Sequence, residues 1–161
     1  MIRLACASRA SRQSGIGMIE VLIAVLVVSI GFLGMAALQA KALSTNNSAM
    51  ARSMATVASY SILDAMRADL VSAEAGAYNT APTVVANACP AAGTSLSSIQ
   101  LNQWCNQLGA ALGAVATTTG AVNCTNTGLC TITITFDDSR SGKAGTTGGT
   151  GTQTVKTVTS L

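Results

Sequence analysis

Glu20 is the residue of this sequence whose chemistry most needs an explanation. It lies in the stretch Ser14–Ala24, SGIGMIEVLIA, as the fifth residue of an apolar run that begins at Ile16. An ionised carboxylate inside hydrocarbon costs several kcal/mol unless a cation neutralises it, so acidic residues in such runs are usually functional. The position of Glu20 therefore predicts an ion pair, although the interfacial end of an ordinary signal anchor would also hold a carboxylate at little cost.

Four of the five cysteines are the second set of residues that could do chemistry. Their even number predicts two disulfides if this part of the chain is exported, and the sequence leaves three pairings open. A zinc site is a weaker interpretation of these cysteines than two disulfides, because the intervening spacings of 15, 18 and 5 residues match no common ligand pattern. The simplest hypothesis joins Cys89 to Cys105 and Cys124 to Cys130, the second pair clamping the turn TNTGL. Cys6 lies on the other side of the apolar run.

The remaining candidates favour structural roles. Asp137 and Asp138 are adjacent acids before a glycine-rich stretch, and two such carboxylates predict a solvated turn rather than a calcium site. Trp104 is expected in the core. The chain has no histidine and only 3% aromatic residues, so acid–base catalysis, metal binding and base stacking lack their usual side chains. We therefore expect no enzyme activity, no cofactor, no metal site and no small-molecule substrate.

Charge is concentrated before the apolar run. The net charge of +3 arises from the first fifteen residues, because six bases and six acids follow from Ile16 onward. A basic surface for nucleic acid is therefore not expected. Basic residues before an apolar run, with none after it until Lys41, predict a cytoplasmic N-terminus and an exported remainder. The basic residues before the run are Arg3, Arg9 and Arg12.

The apolar run is long enough to cross a membrane. Val21–Leu38, VLIAVLVVSIGFLGMAAL, contains no charge and one hydroxyl group. Together with residues 16–19 it reaches about the twenty residues that a helix needs to cross hydrocarbon. The following sequence is rich in Ala, Met and Leu, so we expect one long helix from about Gly17 to Ala73 with an apolar stripe on its exported half. That stripe consists of Met50, Met54, Val57, Ile62, Met66 and Leu70.

The second half of the chain predicts an antiparallel sheet and a shorter helix. Cys130–Phe136 alternates apolar residues with threonine, the pattern of a half-buried strand, and Val155–Leu161 is a second candidate. The glycine-rich sequence between them predicts a mobile loop. A helix capped by Ser97 or Ser98 should precede these strands, so the fold class is α+β, a long N-terminal helix packed on a small antiparallel sheet. The buried face of the shorter helix should consist of Leu101, Trp104, Leu108 and Leu112.

About the first forty residues resemble the type IV prepilin family. That family has a short basic leader ending in Gly, a hydrophobic N-methylated residue, a Glu at the fifth mature position and then an apolar helix. This sequence has Gly15, Ile16, Glu20 and Val21–Leu38 in those places, although Ile16 departs from the usual Phe and Gly17 from the usual Thr or Ser. The stretches IEVLIAVLVVSIGFLGMAALQAKAL, CTITITFDDSR and TVTSL look like the PilV type of minor pilin, also called the type IV pilus modification protein.

The resemblance implies a division of the chain and a function. Residues 1–15 would be a leader removed by the prepilin peptidase, residues 16–38 a transmembrane and assembly helix, and residues 39–161 an exported head with the pilin fold. Ile16 would be N-methylated, and Glu20 would pair with the terminal amine of a neighbouring major or minor pilin. The protein would cross the inner membrane once, with its C-terminal part periplasmic, and then enter an extracellular pilus. Adhesion and twitching motility would depend on it indirectly.

Two other functions stay open. A type II secretion or competence pseudopilin is the close alternative within the same family. A signal-anchored or secreted binding protein would use the apolar run only as an anchor, or as a secretory signal whose small-residue end, GMAALQA, is cut near Ala37 or Ala40. This second account leaves Gly15 and Glu20 unexplained, and the identity of the mature N-terminal residue distinguishes the two classes.

Overall fold

A computed structural model describes Gly15, residues 17–139 and residues 151–161. The chain divides into two compact units, Met1–Ala40 and Lys41–Leu161, and the first helix contributes residues to both. The described helices are α1 (Met18–Ala68), α2 (Leu70–Glu74) and α3 (Leu96–Leu112). The described strands are β1 (Val84–Val85), β2 (Thr119–Cys124), β3 (Leu129–Asp137) and β4 (Thr152–Ser160).

Within the unit Met1–Ala40, α1 is an apolar helix whose described side chains are all exposed. Its most apolar stretch of 18 residues has a mean hydropathy of 2.8, and none of that stretch is buried in the protein. The helix is therefore long and apolar enough to cross a membrane, as the sequence predicts. An N-terminal signal sequence has the same two properties.

The unit Lys41–Leu161 combines helices with an antiparallel sheet, which confirms the α+β class. The described strands form one sheet in the order β1-β2-β3-β4, and every neighbouring pair is antiparallel. β3 lies between β2 and β4 and pairs with β4 along all nine of its residues. One hydrophobic core lies against the inward face of this sheet and includes residues of α1 and α3.

The predicted strand at Cys130–Phe136 is confirmed. Its apolar residues are buried and its threonines lie on the other, partly exposed face, because successive side chains of a strand point to opposite sides. The strand predicted at Val155–Leu161 is also present, but it begins earlier, at Thr152, and ends at Ser160. Residues 140–150, for which a mobile loop is expected, lie outside the described residues. The buried residues of β3 are Cys130, Ile132, Ile134 and Phe136.

The apolar stripe predicted on the long helix is correct only for Ile62 and Met66, which are buried. Its other four members, Met50, Met54, Val57 and Leu70, are exposed, and the core instead takes small residues such as Ala55 and Ala58. Small side chains let the helix backbone come close to its neighbours, and the indole N–H of Trp104 donates a hydrogen bond of 2.9 Å to the Ala58 carbonyl oxygen. The large side chains of the predicted stripe would hold the helix too far away for this bond. The buried residues of α1 are Ser48, Ala55, Ala58, Ser59, Ile62, Leu63 and Met66.

The long helix ends at Ala68 rather than at Ala73, because Asp69 leaves the helical conformation with φ −130° and ψ 56°. The Asp69 carboxylate accepts hydrogen bonds from the hydroxyl groups of Ser72 (2.7 Å) and Tyr78 (3.3 Å). Side-chain hydrogen bonds of this kind compete with helix continuation. Burial, together with the negative charge of Asp69, raises the pKa of Tyr78 above its usual value. The phenol therefore stays neutral and donates its hydrogen bond to Asp69 at the end of the helix.

The shorter helix is confirmed as α3, with a corrected first residue. Its N-cap is Ser95 rather than Ser97 or Ser98, and the Ser95 hydroxyl oxygen accepts the backbone N–H of Ser98 at 3.2 Å. The expected face is correct. Trp104 and Leu108 are fully buried, as predicted for Trp104, and the two flanking leucines, Leu101 and Leu112, are partly buried against the core.

β2 was not predicted, and Gly120 within it is required by the packing of α3. A Cβ atom at Gly120 would lie 2.5 Å from Cη2 of Trp104 and 2.7 Å from Cδ1 of Leu108. The outer edge of β2 is held by side chains as well as by β1. The Thr80 hydroxyl oxygen accepts the backbone N–H of Val122 at 2.8 Å, and the Asn79 amide oxygen accepts that of Cys124 at 2.7 Å.

Thr118 and Thr80 give a matched pair of tests for this packing. Thr118 is fully buried, and its hydroxyl group has no hydrogen-bond partner among the described residues. Thr118→Val should therefore raise the free energy of unfolding by about 1 kcal/mol, because it removes an unsatisfied polar group at nearly constant volume. Thr80→Val should lower that free energy by about 1 kcal/mol, because it leaves the Val122 N–H without its acceptor. Urea unfolding of the detergent-solubilised chain, followed by Trp104 fluorescence, measures both. A loss of stability in Thr118→Val equal to that in Thr80→Val would contradict this reading of the core.

Candidate functional site

The carboxylate of Glu20 lies in the first turn of α1. The turn is formed by the Gly17 carbonyl oxygen, which accepts the backbone N–H groups of Glu20 at 2.9 Å and of Val21 at 3.4 Å. An acidic side chain is favourable here because the free N–H groups of a helix start carry partial positive charge. Among the described residues, no Lys or Arg lies within ion-pair distance of Glu20.

The side chains around Glu20 are large, apolar and exposed. Ile19 is 72% exposed and Leu22 is 68% exposed, and the same character continues along the helix. So large an apolar surface indicates contact with lipid or with other proteins. Where that contact covers the first turn of α1, the carboxylate leaves water and its stability depends on a cation supplied from outside the described part of the chain.

Of the two residues at the predicted cleavage site, Gly15 and Ile16, the structure describes only the first. Gly15 is described and exposed. Ile16, the predicted first mature and N-methylated residue, lies outside the described residues, as do residues 1–14. The cleavage site between Gly15 and Ile16 therefore stays a sequence prediction.

Two disulfides hold the described part of the unit Lys41–Leu161, and they join the cysteines that the sequence hypothesis pairs. Cys89–Cys105 ties the segment before α3 to the helix itself, with the Cα atoms 5.6 Å apart. Cys124–Cys130 joins register partners at the turn between β2 and β3. Such bonds stabilise mainly by restricting the unfolded chain, and the 16-residue separation of the first pair gives it the larger effect.

The expectation of a solvated turn at the two adjacent acids is wrong for Asp138. Asp138 is 4% exposed, and its carboxylate accepts a hydrogen bond from the hydroxyl group of Ser48 on α1. Asp137 is exposed, and its carboxylate accepts the backbone N–H of Ser139 at 2.8 Å. Asp138 therefore ties the end of β3 to the helix. No group of three or more metal-ligating residues occurs among the described residues.

The buried role of Ser48 was missed, although a sequence signal for it exists. Ser48, Ala51, Ala55, Ala58 and Ile62 follow one another at steps of three and four, which is the spacing of one helix face. These small residues form a face of the helix different from the predicted stripe of large apolar residues. Small residues at helical spacing allow close packing. Ser48 adds a hydroxyl donor at the N-terminal end of this face.

An open cleft of about 490 Å³ lies next to this hydrogen bond. Its walls combine small and apolar residues with the two acids, so it suits a neutral or cationic group better than an anion. Its lining includes Asn47, Ala51, Leu112, Val115, Phe136 and Asp138.

Ser48→Ala tests the tie between α1 and the sheet. The variant leaves a buried carboxylate without this donor, so we expect the free energy of unfolding to fall by about 1–2 kcal/mol. The matched control is Ser53→Ala, on the exposed side of the same helix, where a change within about 0.5 kcal/mol is expected. Urea unfolding measures both variants, and equal effects would show that the Ser48 hydrogen bond contributes nothing.

No protein-family model, no curated protein and no solved structure matches this chain. The resemblance of the first forty residues to prepilins therefore stays a prediction from the sequence. The features that bear on function are the chain's own: a carboxylate in the first turn of an exposed apolar helix, and a disulfide-bonded α+β unit.

Proposed function

We propose that this chain is a minor pilin of a type IV pilus, processed by the prepilin peptidase and taking part in pilus assembly and initiation. The observation that carries the proposal is Glu20, a carboxylate in the first turn of an apolar helix that follows Gly15 and a basic segment. A simple membrane anchor does not require a charge at this position. An assembly helix would require it, because the carboxylate would pair with a new chain terminus.

The mechanism starts with leader removal. Cleavage after Gly15 would free the amino group of Ile16, which the peptidase would then methylate. This amine is cationic at neutral pH. Glu20 of one subunit would pair with the Ile16 amine of its neighbour. The two charges would then neutralise each other in the apolar surroundings. Subunits offset from this register would leave two charges buried without partners, at a cost of several kcal/mol.

The layout of the unit Lys41–Leu161 supports the same proposal. The second half of α1 packs on an antiparallel sheet, which is the arrangement that a pilin head requires. Its two disulfides suit an oxidising compartment such as the periplasm. The protein would therefore be stored in the inner membrane with its N-terminus cytoplasmic, and its partners would be the prepilin peptidase and other pilins.

The proposal assigns no catalysis, cofactor or nucleic-acid partner to the chain. A pseudopilin of a type II secretion or competence system would share its processing and its use of Glu20. A signal-anchored binding protein would share neither, and it is this second class that the following two experiments exclude or establish.

The first experiment identifies the mature N-terminus. The chain, purified from the membrane of its own host or of a host with a prepilin peptidase, should begin with N-methylated Ile16 by Edman degradation and mass spectrometry. A peptidase-deficient host is the control and should yield the chain with its leader. A first residue between Met35 and Lys41 would instead establish conventional secretion.

The second experiment removes the carboxylate. Glu20→Ala should insert in the membrane at least as well as the wild type, since an apolar residue replaces a charge. Its recovery in sheared pili should fall at least about tenfold, because loss of one member of a buried ion pair costs roughly 3–5 kcal/mol. Glu74→Ala, at an exposed carboxylate of α2, is the matched control and should assemble normally. Wild-type recovery of Glu20→Ala in pili would rule out the pairing role.

A further inference from the structure

The two edges of the sheet differ. β2 is covered on its outer side by β1 and by the hydrogen bonds of Asn79 and Thr80. β4 pairs with β3 on one side, and within the described chain no strand pairs with its other side, while the Gln153 amide oxygen accepts a hydrogen bond of 2.7 Å from the Arg52 guanidinium. β4 therefore presents an open edge, which is a template for the addition of another strand.

The ladder between β3 and β4 shows which backbone groups of β4 point away from β3. The Asp138 N–H donates to the Gly151 carbonyl, and the Leu161 N–H donates to the Gly128 carbonyl, just beyond the two ends of the ladder. Bonded and non-bonded residue pairs alternate along antiparallel strands, so the odd-numbered residues of β4 bond to β3. The even-numbered ones direct their N–H and C=O groups outward. Those with exposed side chains are Thr154, Lys156, Val158 and Ser160.

This edge lacks most of the usual protection against strand addition. Natural edges are short, bulged, interrupted by proline or covered by charges. β4 has nine residues in continuous register with β3, no proline, and mainly Thr and Val, which suit extended structure. Its one charged side chain is Lys156, at the middle of the strand. On β3 its register partner is Thr133, so no acid lies opposite it within the sheet.

The position of Lys156 disfavours pairing between two copies of this chain. In a two-fold antiparallel pairing along the full strand, the fifth of nine residues lies opposite its own copy. Like charges directly opposite each other destabilise a strand pair. A shift of the register by two residues places the lysines on a diagonal, but it shortens the pairing. A partner with an acidic side chain at this place has neither disadvantage.

We propose that the open edge of β4 is a docking site for an extended strand of another polypeptide that carries a carboxylate opposite Lys156. Backbone hydrogen bonds to the even-numbered residues from Thr154 to Ser160 give the affinity, and the charge of Lys156 selects the partner and excludes a second copy. This site is independent of Glu20 and of entry into a pilus, because it uses only the unit Lys41–Leu161.

A charge-reversed copy of the chain serves as the probe. Full-length tagged Lys156→Glu in detergent micelles is mixed with untagged wild-type chain, and the recovery of untagged chain is compared with that on tagged wild type. We expect at least about fivefold more recovery on Lys156→Glu, since repulsion across the strands becomes attraction. Raising the ionic strength from about 0.05 M to about 0.5 M should reduce the difference.

A proline in the edge provides the matched control. Thr154→Pro in both chains removes one outward N–H and keeps the backbone hydrogen bonds to β3, a position at which edge strands tolerate proline. It also removes the exposed hydroxyl hydrogen bond of 3.2 Å between Thr154 and Thr135. Thr154→Pro should abolish the additional recovery of untagged chain on Lys156→Glu. It should change the midpoint of urea unfolding no more than an ordinary surface substitution does. Equal recovery on Lys156→Glu and on wild type, or a charge-dependent recovery unaffected by Thr154→Pro, would overturn the proposal.

Discussion

The electrostatic cost of one carboxylate in apolar surroundings is the constraint on which the proposed function depends. Glu20 lies at the start of a helix whose neighbouring side chains are apolar and exposed, and no described cation lies next to it. Removed from water, this group needs a positive charge from elsewhere. A freshly cut chain terminus of another subunit supplies that charge at a defined place, so one interaction both stabilises the contact and sets its register.

The unit Lys41–Leu161 depends on a different constraint, which is the short distance between α1 and its neighbours. Ala55 and Ala58 let the helix approach closely enough for the Trp104 indole to donate to the helix backbone. The absence of a side chain at Gly120 makes room for the same indole ring on the sheet side. Ser48 and Asp138 fix the far end of this contact with a buried hydrogen bond. The helix is therefore positioned by small residues and specific hydrogen bonds more than by large apolar side chains.

Elements with a strong local pattern could be predicted from the sequence. The alternation of Ile and Thr before Phe136 predicts β3 and its buried face, and the spacing around Trp104 predicts α3. The apolar character of Val21–Leu38 predicts the exposed helix. The pairing of neighbouring cysteines was also correct, because Cys124 and Cys130 flank a turn short enough to make them register partners.

Features that arise from tertiary contacts could not be predicted in this way. β2 contains Gly120 and Asn123, which have low strand propensity, and it forms because β3 and α3 pack against it. The burial of Asp138 depends on a serine 90 residues away in sequence. The helix break at Asp69 depends on the later Tyr78 hydroxyl. For the candidate site, Glu20 can be singled out from sequence alone, whereas its cationic partner belongs to another chain in the proposed assembly.

A zero-length cross-link in isolated filaments tests the pairing of Glu20 with a neighbouring chain terminus most directly. A membrane-permeant carbodiimide joins a carboxylate only to an amine in direct contact with it, and isotopic labelling of half of the subunits identifies bonds between different chains by mass spectrometry. We expect an amide between the Glu20 side chain and the Ile16 terminus of another subunit. A Glu20 side chain that remains uncoupled, or that couples only within its own chain, would contradict this pairing.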